Sequence, residues 1–484
     1  MVLFGKKLAE AKIWLKPNME TLQRTANRGS ISTGYDIDNS VKFDKGNDTT
    51  TVEFFERNVS SAGSRTIGTF SAWVKKTDVT TAQYLFTFGN VDNDNGRTFA
   101  RFQTDGTLRV GGGSTTWLNT NRLFRDTSAW YHIVVAIDTT SGTADNRIRV
   151  YVNGVEETSF GTRNNPSQND VMGTNFGKQA IGYNTIDNNS GFNGYMCEVV
   201  IQDGVASAPT EFGEFDSASG IWIPKDASGA TMGTNGTYLK FENASSMGAA
   251  TAGNAFTVQN INQNDQATDV PTNNFATLNP LMANAGPANY LTINQGATRA
   301  YNEANAYKIA NSTFGVTAGK WYWEVKMIDM AGVTAIGVTM PFYWDADYSL
   351  QGCIYYGQTG QRYNNASAGS FGATYAAGDI ISFALDMDAT PPTMTVFKNN
   401  SSQGNLMAGL SINGTGGAFL PPKEDGYFPK VVGYSVNTFD CNFGGFTNFS
   451  ISSAATDENG YGTFEYAPPT GYYALCTKNL AEYG

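Results

Sequence analysis

The residues of this chain that most resemble a hydrolytic site are carboxylates separated by only a few positions. Retaining glycosidases hold a nucleophile and an acid about 5 to 5.5 Å apart across the scissile bond. On one strand this chemistry uses the spacing E-x-D-x-x-E. The nearest run is Glu211, Glu214 and Asp216, whose spacing is different, and the phenylalanines between these acids suit packing. We therefore expect no glycosidase site, and polysaccharide cleavage is kept as an alternative.

The chain has one histidine, His132. A Ser-His-Asp or Cys-His site would have to use it. His132 lies in a stretch, 130–138, in which both alternating sets of side chains are largely apolar, which is typical of a strand buried on both faces. We interpret His132 as a core residue and predict that the protein is not an enzyme.

Asp92 and Asp94 offer oxygen ligands for calcium in a run of Asp and Asn that precedes Gly96. The run departs from the EF-hand pattern, because the glycine comes one place early and Gln103 stands where the distal acid belongs. Asp and Asn before Gly also form ordinary hairpin turns. The turn is favoured, with a Ca²⁺ site at Asp92 and Asp94 as the alternative and no other cofactor expected.

Aromatic residues in predicted loops could bind a sugar, since flat rings stack on sugar faces. The candidates are Trp344, Tyr355, Tyr356 and Tyr363. The favoured interpretation is that these rings cap the core, with sugar binding as the alternative.

The first residues predict a short amphipathic helix that ends before Pro17, with an apolar stripe and basic flanks. Residues 1–28 carry six basic side chains against two acidic ones, whereas the whole chain has a net charge of −11. Such a helix needs a surface against which to bury its stripe. It is predicted to anchor the protein in a larger assembly, with packing on its own domain as the alternative. The anchoring candidates are Phe4, Lys6, Lys7, Leu8, Lys12 and Leu15.

Composition restricts the other function classes. The body of the protein is acidic and would repel phosphate backbones, so we expect no nucleic-acid partner. No apolar run approaches the length that spans a bilayer, and the N-terminus lacks a secretory signal, which predicts synthesis in a cytoplasm and no membrane insertion. The four cysteines form no CxxC pair, and Cys197 and Cys441 are interpreted as free, buried residues.

Strand and turn signals repeat along the chain. Alternating stretches at 130–138 and 147–152 are followed by Asn153-Gly154, a pair typical of a tight hairpin. A second meander, at 379–398, ends at Asn399-Asn400. With 53 glycines and only 15% charged residues, the chain is predicted to be all-β, with two tandem antiparallel sandwiches after the short N-terminal helical arm.

The predicted domain boundaries follow changes in amino-acid composition. Residues 1–33 form the basic arm, 34–242 the first sandwich and 243–274 an amide-rich linker. Residues 275–466 form the second sandwich, and 467–484 form a tail that packs back on a domain.

The sequences of several predicted strands resemble those of known families. The Trp-Tyr-His strand and YVNG hairpin resemble the laminin-G and pentraxin-like branch of the concanavalin A-like sandwiches, whose members often hold calcium at their rim. The order GKWYWEV, IGV, DMD, TVFKNN and YFPKVV resembles the SPRY domain. The ensemble over about 34–480 resembles structural proteins of marine bacteriophages; its segments include YDIDNSVKF, SAWVKK, FGEFD, GTNGTYLKFEN, DVPTNNFATLNPL and PPTGYYALCTKNL.

This resemblance implies a virion protein, such as a tail fibre, spike or surface appendage. Its implied partners are other virion proteins, through the arm, and a host-surface glycan or protein receptor. A homo-oligomer is implied, and trimers are usual in tail fibres. The alternatives are a capsid decoration or tail cement protein without a receptor, and a polysaccharide-degrading spike.

Overall fold

A computed structural model of the chain describes residues 34–46, 51–59, 61, 63–90, 93, 96–184, 186, 190–281, 290–339, 352–364, 367–412, 419–420 and 422–484. Antiparallel sheets dominate these residues, as the sequence predicts. The predicted N-terminal helix lies outside the described residues.

The first sandwich contains strands β1 to β19. In chain order they are β1 (Ser40–Phe43), β2 (Phe54–Asn58), β3 (Ile67–Lys76), β4 (Gln83–Gly89), β5 (Arg97–Phe102), β6 (Leu108–Gly112), β7 (Thr115–Thr120), β8 (Trp130–Asp138), β9 (Ile148–Val152), β10 (Val155–Glu156), β11 (Phe160–Arg163), β12 (Lys178–Ile181), β13 (Gly194–Asp203), β14 (Gly213–Phe215), β15 (Trp222–Pro224), β16 (Thr237–Leu239), β17 (Ala252–Gly253), β18 (Thr257–Gln259) and β19 (Gln266–Ala267).

The second sandwich contains the remaining strands and one α-helix. They are β20 (Thr292–Asn294), β21 (Arg299–Asn302), β22 (Tyr307–Asn311), β23 (Lys320–Met330), β24 (Thr334–Thr339), β25 (Gly352–Tyr356), β26 (Gln361–Asn364), β27 (Ser367–Ser370), β28 (Ile380–Asp386), β29 (Thr393–Lys398), β30 (Ser401–Asn405), β31 (Ser411–Ile412), β32 (Phe419–Leu420), β33 (Phe428–Tyr434), β34 (Asn437–Asn442), β35 (Tyr473–Ala474) and α1 (Thr477–Tyr483).

Four large sheets face each other in two pairs. Sheet 1a has the order β10-β9-β8-β3-β13-β1-β19, with β16 and β17 added beside β13, and sheet 1b has the order β11-β7-β6-β5-β4-β12-β2-β18. Sheet 2a has the order β20-β21-β34-β23-β28-β29-β30, with β35 beside β23, and sheet 2b has the order β22-β33-β24-β25-β26-β27.

Both predicted hairpins are present. Asn153 and Gly154 have φ values of 49° and 79°, and Asn399 and Asn400 have φ values of 48° and 66°. A tight hairpin needs two such left-handed residues, and Asn and Gly adopt this conformation at the least cost.

Each core forms from side chains that alternate along the central strands. In β3, Phe70, Ala72 and Val74 point into the first core. In β23, Trp321 and Trp323 point into the second, where Trp323 stacks on Phe383 with ring centroids 5.0 Å apart. Burying a side chain of this size contributes about 1.5–3 kcal/mol. All four cysteines are buried and free, which confirms the interpretation of Cys197 and Cys441.

Residues 243–274 are not a linker, and this prediction was wrong. β18 extends sheet 1b beside β2, and β19 extends sheet 1a beside β1. Phe256 and Ile261 from this segment lie in the first core. The strands here are only two or three residues long, so they carry too few residues to show an alternating pattern.

The C-terminal tail packs back on the second sandwich, as predicted. β35 pairs in parallel with β23. Leu475 and Leu480 join the second core.

A buried lysine on β3 joins the two sandwiches. The Lys75 ammonium donates to Asp269 Oδ2 at 2.7 Å, to Asn274 Oδ1 at 2.7 Å and to the carbonyl oxygen of Phe275 at 3.0 Å. Asp269 also accepts from the indole N–H of Trp130 at 3.1 Å. A charge this deeply buried is stable only when it is paired and hydrogen-bonded, so Lys75 holds the end of the first sandwich and, through the Phe275 carbonyl, the start of the second.

A second lysine contact links the domains directly. The Lys42 ammonium lies 2.7 Å from Glu53 Oε1 and 2.8 Å from Asp265 Oδ1, both in the first domain. Its third acceptor is Gln295 Oε1 of the second domain, at 2.8 Å. The hydroxyl of Tyr195 donates to the carbonyl oxygen of Gly296 at 2.7 Å. The joint is therefore polar as well as packed.

Candidate functional site

The outer face of sheet 2b carries four half-buried tyrosines, which we call the tyrosine face: Tyr307, Tyr356, Tyr363 and Tyr434. Tyr307 and Tyr434 are direct cross-strand neighbours, with ring centroids 4.8 Å apart. Tyr356 and Tyr363 lie 5.3 Å apart on β25 and β26.

Buried apolar side chains fill the centre between these rings. They are Ile309, Ala335, Ile354 and Val432, one from each of the four strands β22, β24, β25 and β33. Because side chains alternate across a strand, these residues share the outer face with the tyrosines. The result is an apolar surface edged by rings that carry hydroxyl groups, which is the chemistry that binds the face of a sugar and its hydroxyls.

Tyr355 does not belong to this face, and its prediction as a ligand residue was wrong. Its neighbours on β25, Ile354 and Tyr356, point outward, so Tyr355 points into the core and is fully buried. Its ring lies edge-on to Phe371 and Tyr375, at 5.2 and 5.1 Å, and its hydroxyl donates to the carbonyl of Ala373. Burial raises the pKa of Tyr355 to about 12. The sequence was interpreted as a loop, whereas it forms the hairpin β25–β26.

Several predicted site residues lie outside the described residues. They are Trp344, the calcium candidates Asp92 and Asp94, and the anchoring candidates Phe4, Lys6, Lys7, Leu8, Lys12 and Leu15. Beside the calcium candidates, the carbonyl oxygen of Asn93 accepts from the N–H groups of Gly96 and Arg97, both at 3.0 Å. This geometry fits the favoured turn. Within the described ranges, no group of three or more His, Cys, Asp or Glu residues could hold a metal ion.

His132 is buried, as the sequence predicts, and it packs among aromatic rings. Its Nδ1 accepts from the indole N–H of Trp222 at 3.0 Å, so its Nε2 carries the proton and donates to Ser71 Oγ at 2.9 Å. The imidazole stacks against Trp73 and Trp222. Burial lowers the pKa of His132 to about 3. A neutral histidine with both nitrogens occupied by neutral partners is not arranged to take a proton from Ser71.

The acidic run lies at the surface, beside sheet 1a. Glu211 and Glu214 are exposed, while the Asp216 carboxylate accepts from the N–H of Ser219 at 2.9 Å. Hydrogen bonds from Ser219 lower the pKa of Asp216. Phe212 is buried, as its packing role predicts, but Phe215 remains 52% exposed at the edge of the Trp222 ring.

Sequence reasoning missed several buried carboxyl groups, of which Glu198 and Glu324 have neutral hydrogen-bond partners. Glu198 lies at a bulge in β13 with a φ of 50°, and the hydroxyls of Tyr35 and Tyr238 both donate to it. Glu324 on β23 accepts from the hydroxyl of Tyr322 at 3.0 Å. Burial raises the pKa of Glu198 and of Glu324 to about 7. Glu324 could have been suspected, because it interrupts the apolar run of β23.

The hydrogen bonds around these two acids indicate structural roles. Glu324 Oε1 and Oε2 also accept from the backbone N–H groups of Tyr466 and Glu465, each at 2.9 Å, and from the side-chain amide of Asn442 at 3.1 Å. These bonds attach the C-terminal segment to the outer face of sheet 2a. A carboxyl group with four donors has no free lone pair directed at a substrate.

The chain also resembles known proteins. Residues 44–210, 167 of its 484 residues, match the family model described as the concanavalin A-like lectin/glucanases superfamily. A search of curated proteins gives no match. No helix in the described part of the chain is both long and apolar enough to span a lipid bilayer.

Solved structures similar to the chain include three β-proteins. The SPRY domain of human HERC1 is 19% identical, with 30% of this chain and 87% of that chain covered and a TM-score of 0.25. The native heptameric SAP-like pentraxin from Limulus polyphemus is 16% identical, with 37% and 82% covered and a TM-score of 0.28. A putative carbohydrate binding protein from Bacteroides ovatus is 18% identical, with 36% and 46% covered and a TM-score of 0.25. The family match shows a concanavalin A-like domain in the first half of the chain, and the structural neighbours are SPRY- and pentraxin-like in fold.

Proposed function

We propose that the protein is a non-enzymatic carbohydrate-recognition component of a bacteriophage virion, attached by residues 1–28 and displaying its two sandwiches toward the host surface. The tyrosine face is the observation that carries the recognition part. The virion part rests on the sequence resemblance over about 34–480 and on the opposite charges of the arm and the body.

The tyrosine face supports sugar binding through its shape and polarity. Its rings are held by packing on β22, β25, β26 and β33, so little side-chain entropy is lost when a ligand binds. Each ring can offer an apolar face to the C–H groups of a sugar and a hydroxyl to its oxygens. The match of the other sandwich to a superfamily that includes lectins supports the same function.

The surroundings of the histidine and the acidic run support recognition without cleavage. His132 is neutral and enclosed, and Glu211 and Asp216 project from a surface turn. Neither arrangement matches an acid and a nucleophile across a glycosidic bond.

The recognition proposal is tested by presenting the full-length protein to an array of bacterial surface glycans. We expect retention on at least one class of glycan. Failure to retain any of them, while a lectin of known specificity binds the same array, would remove the recognition function. Release of reducing sugar from a bound glycan would instead favour the degrading spike, and a variant with Glu211, Glu214 and Asp216 replaced together would show whether those acids are responsible.

The attachment proposal is tested by deleting residues 1–28. We expect a folded protein that no longer joins particles. Normal incorporation of the shortened chain would contradict the anchoring role. Antibody label at the tips of fibres would support host attachment, whereas label spread over the head would favour a decoration or cement protein.

A further inference from the structure

Three arginines surround one phenylalanine on the outer face of sheet 1b. Arg97, Phe99 and Arg101 alternate outward on β5, and Arg109 lies on the neighbouring strand β6. The guanidinium carbons of Arg97, Arg101 and Arg109 lie 4.9, 5.6 and 5.2 Å from the centroid of the Phe99 ring. These distances are within the range of cation–π attraction. We call these four residues, with Tyr84, the arginine face.

Gly111 lets the phenylalanine ring lie against the sheet. It is the direct cross-strand neighbour of Phe99. A Cβ atom at Gly111 would stand 2.8 Å from Cζ of Phe99 and 2.5 Å from the carbonyl oxygen of Thr115, closer than such atoms approach. The ring therefore forms a floor, with the guanidinium groups arranged around it.

Tyr84 connects two of the arginines. Its hydroxyl oxygen accepts from Arg97 Nη2 at 3.0 Å and from Arg101 Nη1 at 2.8 Å. Arg97 Nη2 also donates to Asn184 Oδ1 at 3.0 Å. Because the Tyr84 oxygen accepts both bonds, its own O–H is left to donate to a further acceptor.

The positive charge of Arg101 and Arg109 is not neutralised within the described residues. The two are direct cross-strand partners, an arrangement that destabilises a sheet when the charges are alike. Neither forms an ion pair with a described Asp or Glu, although Arg109 Nη2 donates to the carbonyl oxygen of Ser114 at 3.2 Å. Among the residues that the structure describes, the buried Nε atoms of both have no hydrogen-bond partner. A chain with net charge −11 thus concentrates cations on one face.

We propose that the arginine face binds an anionic saccharide, one that carries carboxylate or sulfate groups, at a site separate from the tyrosine face. Planar guanidinium groups donate paired hydrogen bonds to such groups, and Arg101 and Arg109 would lose their mutual repulsion when an anion lies between them. Phe99 and Tyr84 are buried and support the guanidinium groups, so the contacts with the saccharide come from the half-buried Arg101 and Arg109. This inference rests on the proposed recognition function and adds a ligand class to it.

The test uses the full-length protein with three polymers: dextran sulfate, polygalacturonate and neutral dextran. We expect binding of at least one anionic polymer and at least about tenfold weaker binding by the double variant Arg101→Gln/Arg109→Gln. The matched control is Arg149→Gln, because Arg149 also lies over an aromatic ring, that of Tyr151 at 5.7 Å, but on sheet 1a. The sulfate and carboxylate arms show which group is recognised.

Equal binding of an anionic polymer by the wild type and the double variant would overturn the inference, as would an equal loss in Arg149→Gln. Should the double variant not fold, the single variant Arg109→Gln gives the same comparison. If the protein retains only neutral glycans, the arginine face is not a binding site, but the proposed recognition function stands. If neither these polymers nor the array retains the protein, the proposed recognition function itself is wrong.

Discussion

The two sandwiches share one layout and differ in the chemistry of the outer faces of sheets 1b and 2b. In each, the chain itself covers the outer face of one sheet. Phe212 and Met232 pack on sheet 1a, and Phe464 and Cys476 pack on sheet 2a. The outer faces of sheets 1b and 2b carry other aromatic residues, which are buried on sheet 1b (Tyr84 and Phe99) and half-buried on sheet 2b.

The difference between these faces is charge. The first sandwich places Arg97, Arg101 and Arg109 around one ring, whereas the second places pairs of tyrosines around apolar residues. The same fold therefore presents a cationic surface on one domain and a neutral aromatic surface on the other. Fold similarity alone does not determine what each face binds, because the ligand contacts come from side chains that the core does not constrain.

Substitution of the joining lysine is expected to have the largest effect. Lys75→Ala leaves the Asp269 carboxylate buried without its cation, which should lower the free energy of unfolding by about 3–5 kcal/mol. Calorimetry should then resolve two transitions instead of one, because the first sandwich loses its hydrogen bond to Phe275, where the second begins. Lys178→Ala, which removes a half-exposed pair with Glu56, should have little effect. A single unchanged transition in Lys75→Ala would show that the joint does not depend on this lysine.

Loss of Glu324 should loosen the covered face of the second sandwich. Glu324→Ala removes the acceptor of four hydrogen bonds and leaves buried N–H groups unpaired, which we expect to cost about 3 kcal/mol. Cys476, which belongs to the C-terminal segment and is fully buried in the wild type, should react faster with a thiol reagent. Replacement of the exposed Glu303 by Ala is the control. Unchanged reactivity would mean that other contacts hold the segment.

Glu198 should make the first sandwich less stable as the pH rises. Its pKa is raised by burial from 4.5 to about 7, so the folded state holds a proton that the unfolded state releases. The resulting stabilisation is fully present below about pH 4.5 and is lost as the pH passes through about 7, with a magnitude of about 2 kcal/mol. Denaturant melts of Glu198→Gln at pH 5 and pH 8 should differ less than those of the wild type.

The raised pKa of Glu324 also makes the folded protein less stable as the pH rises, so Glu198→Gln keeps part of the pH dependence of stability. Glu214→Gln, at an exposed carboxyl group, provides the control. A wild-type protein that gains stability from pH 5 to pH 8 would contradict the assignment.

The smallest expected change concerns the tyrosine face. Tyr356→Ala/Tyr363→Ala should weaken binding of a neutral glycan by about tenfold, close to 1.4 kcal/mol, without changing its response to anionic polymers. Binding isotherms with a glycan selected from the array measure this change. The paired comparison with Arg101→Gln/Arg109→Gln shows whether the two faces act independently. Equal losses of affinity in both variants, for both ligand classes, would indicate that the two faces form one site.

Much of the fold could be predicted from short stretches of sequence. The hairpins at Asn153-Gly154 and Asn399-Asn400 depend on the φ preferences of two adjacent residues, and the alternation in 130–138 is a property of a single strand. The core position of His132 followed from the same alternation. Tyr355 was misplaced because its stretch was interpreted as a loop, whereas the pairing of β25 within sheet 2b decides which of its side chains point into the core.

The sequence by itself determined the strands, the turns and the charge of the arm, because these depend on residues close together in the chain. Only the tertiary structure decided how they combine. Arg101 and Arg109 become neighbours through strand register, and Lys75 meets Asp269, 194 positions away, where the chain leads from the first sandwich into the second. No local signal marks such pairs, since their interaction energy exists only after the sheets have formed. For that reason the arginine face and the joint between the sandwiches appear in the structure and not in the sequence.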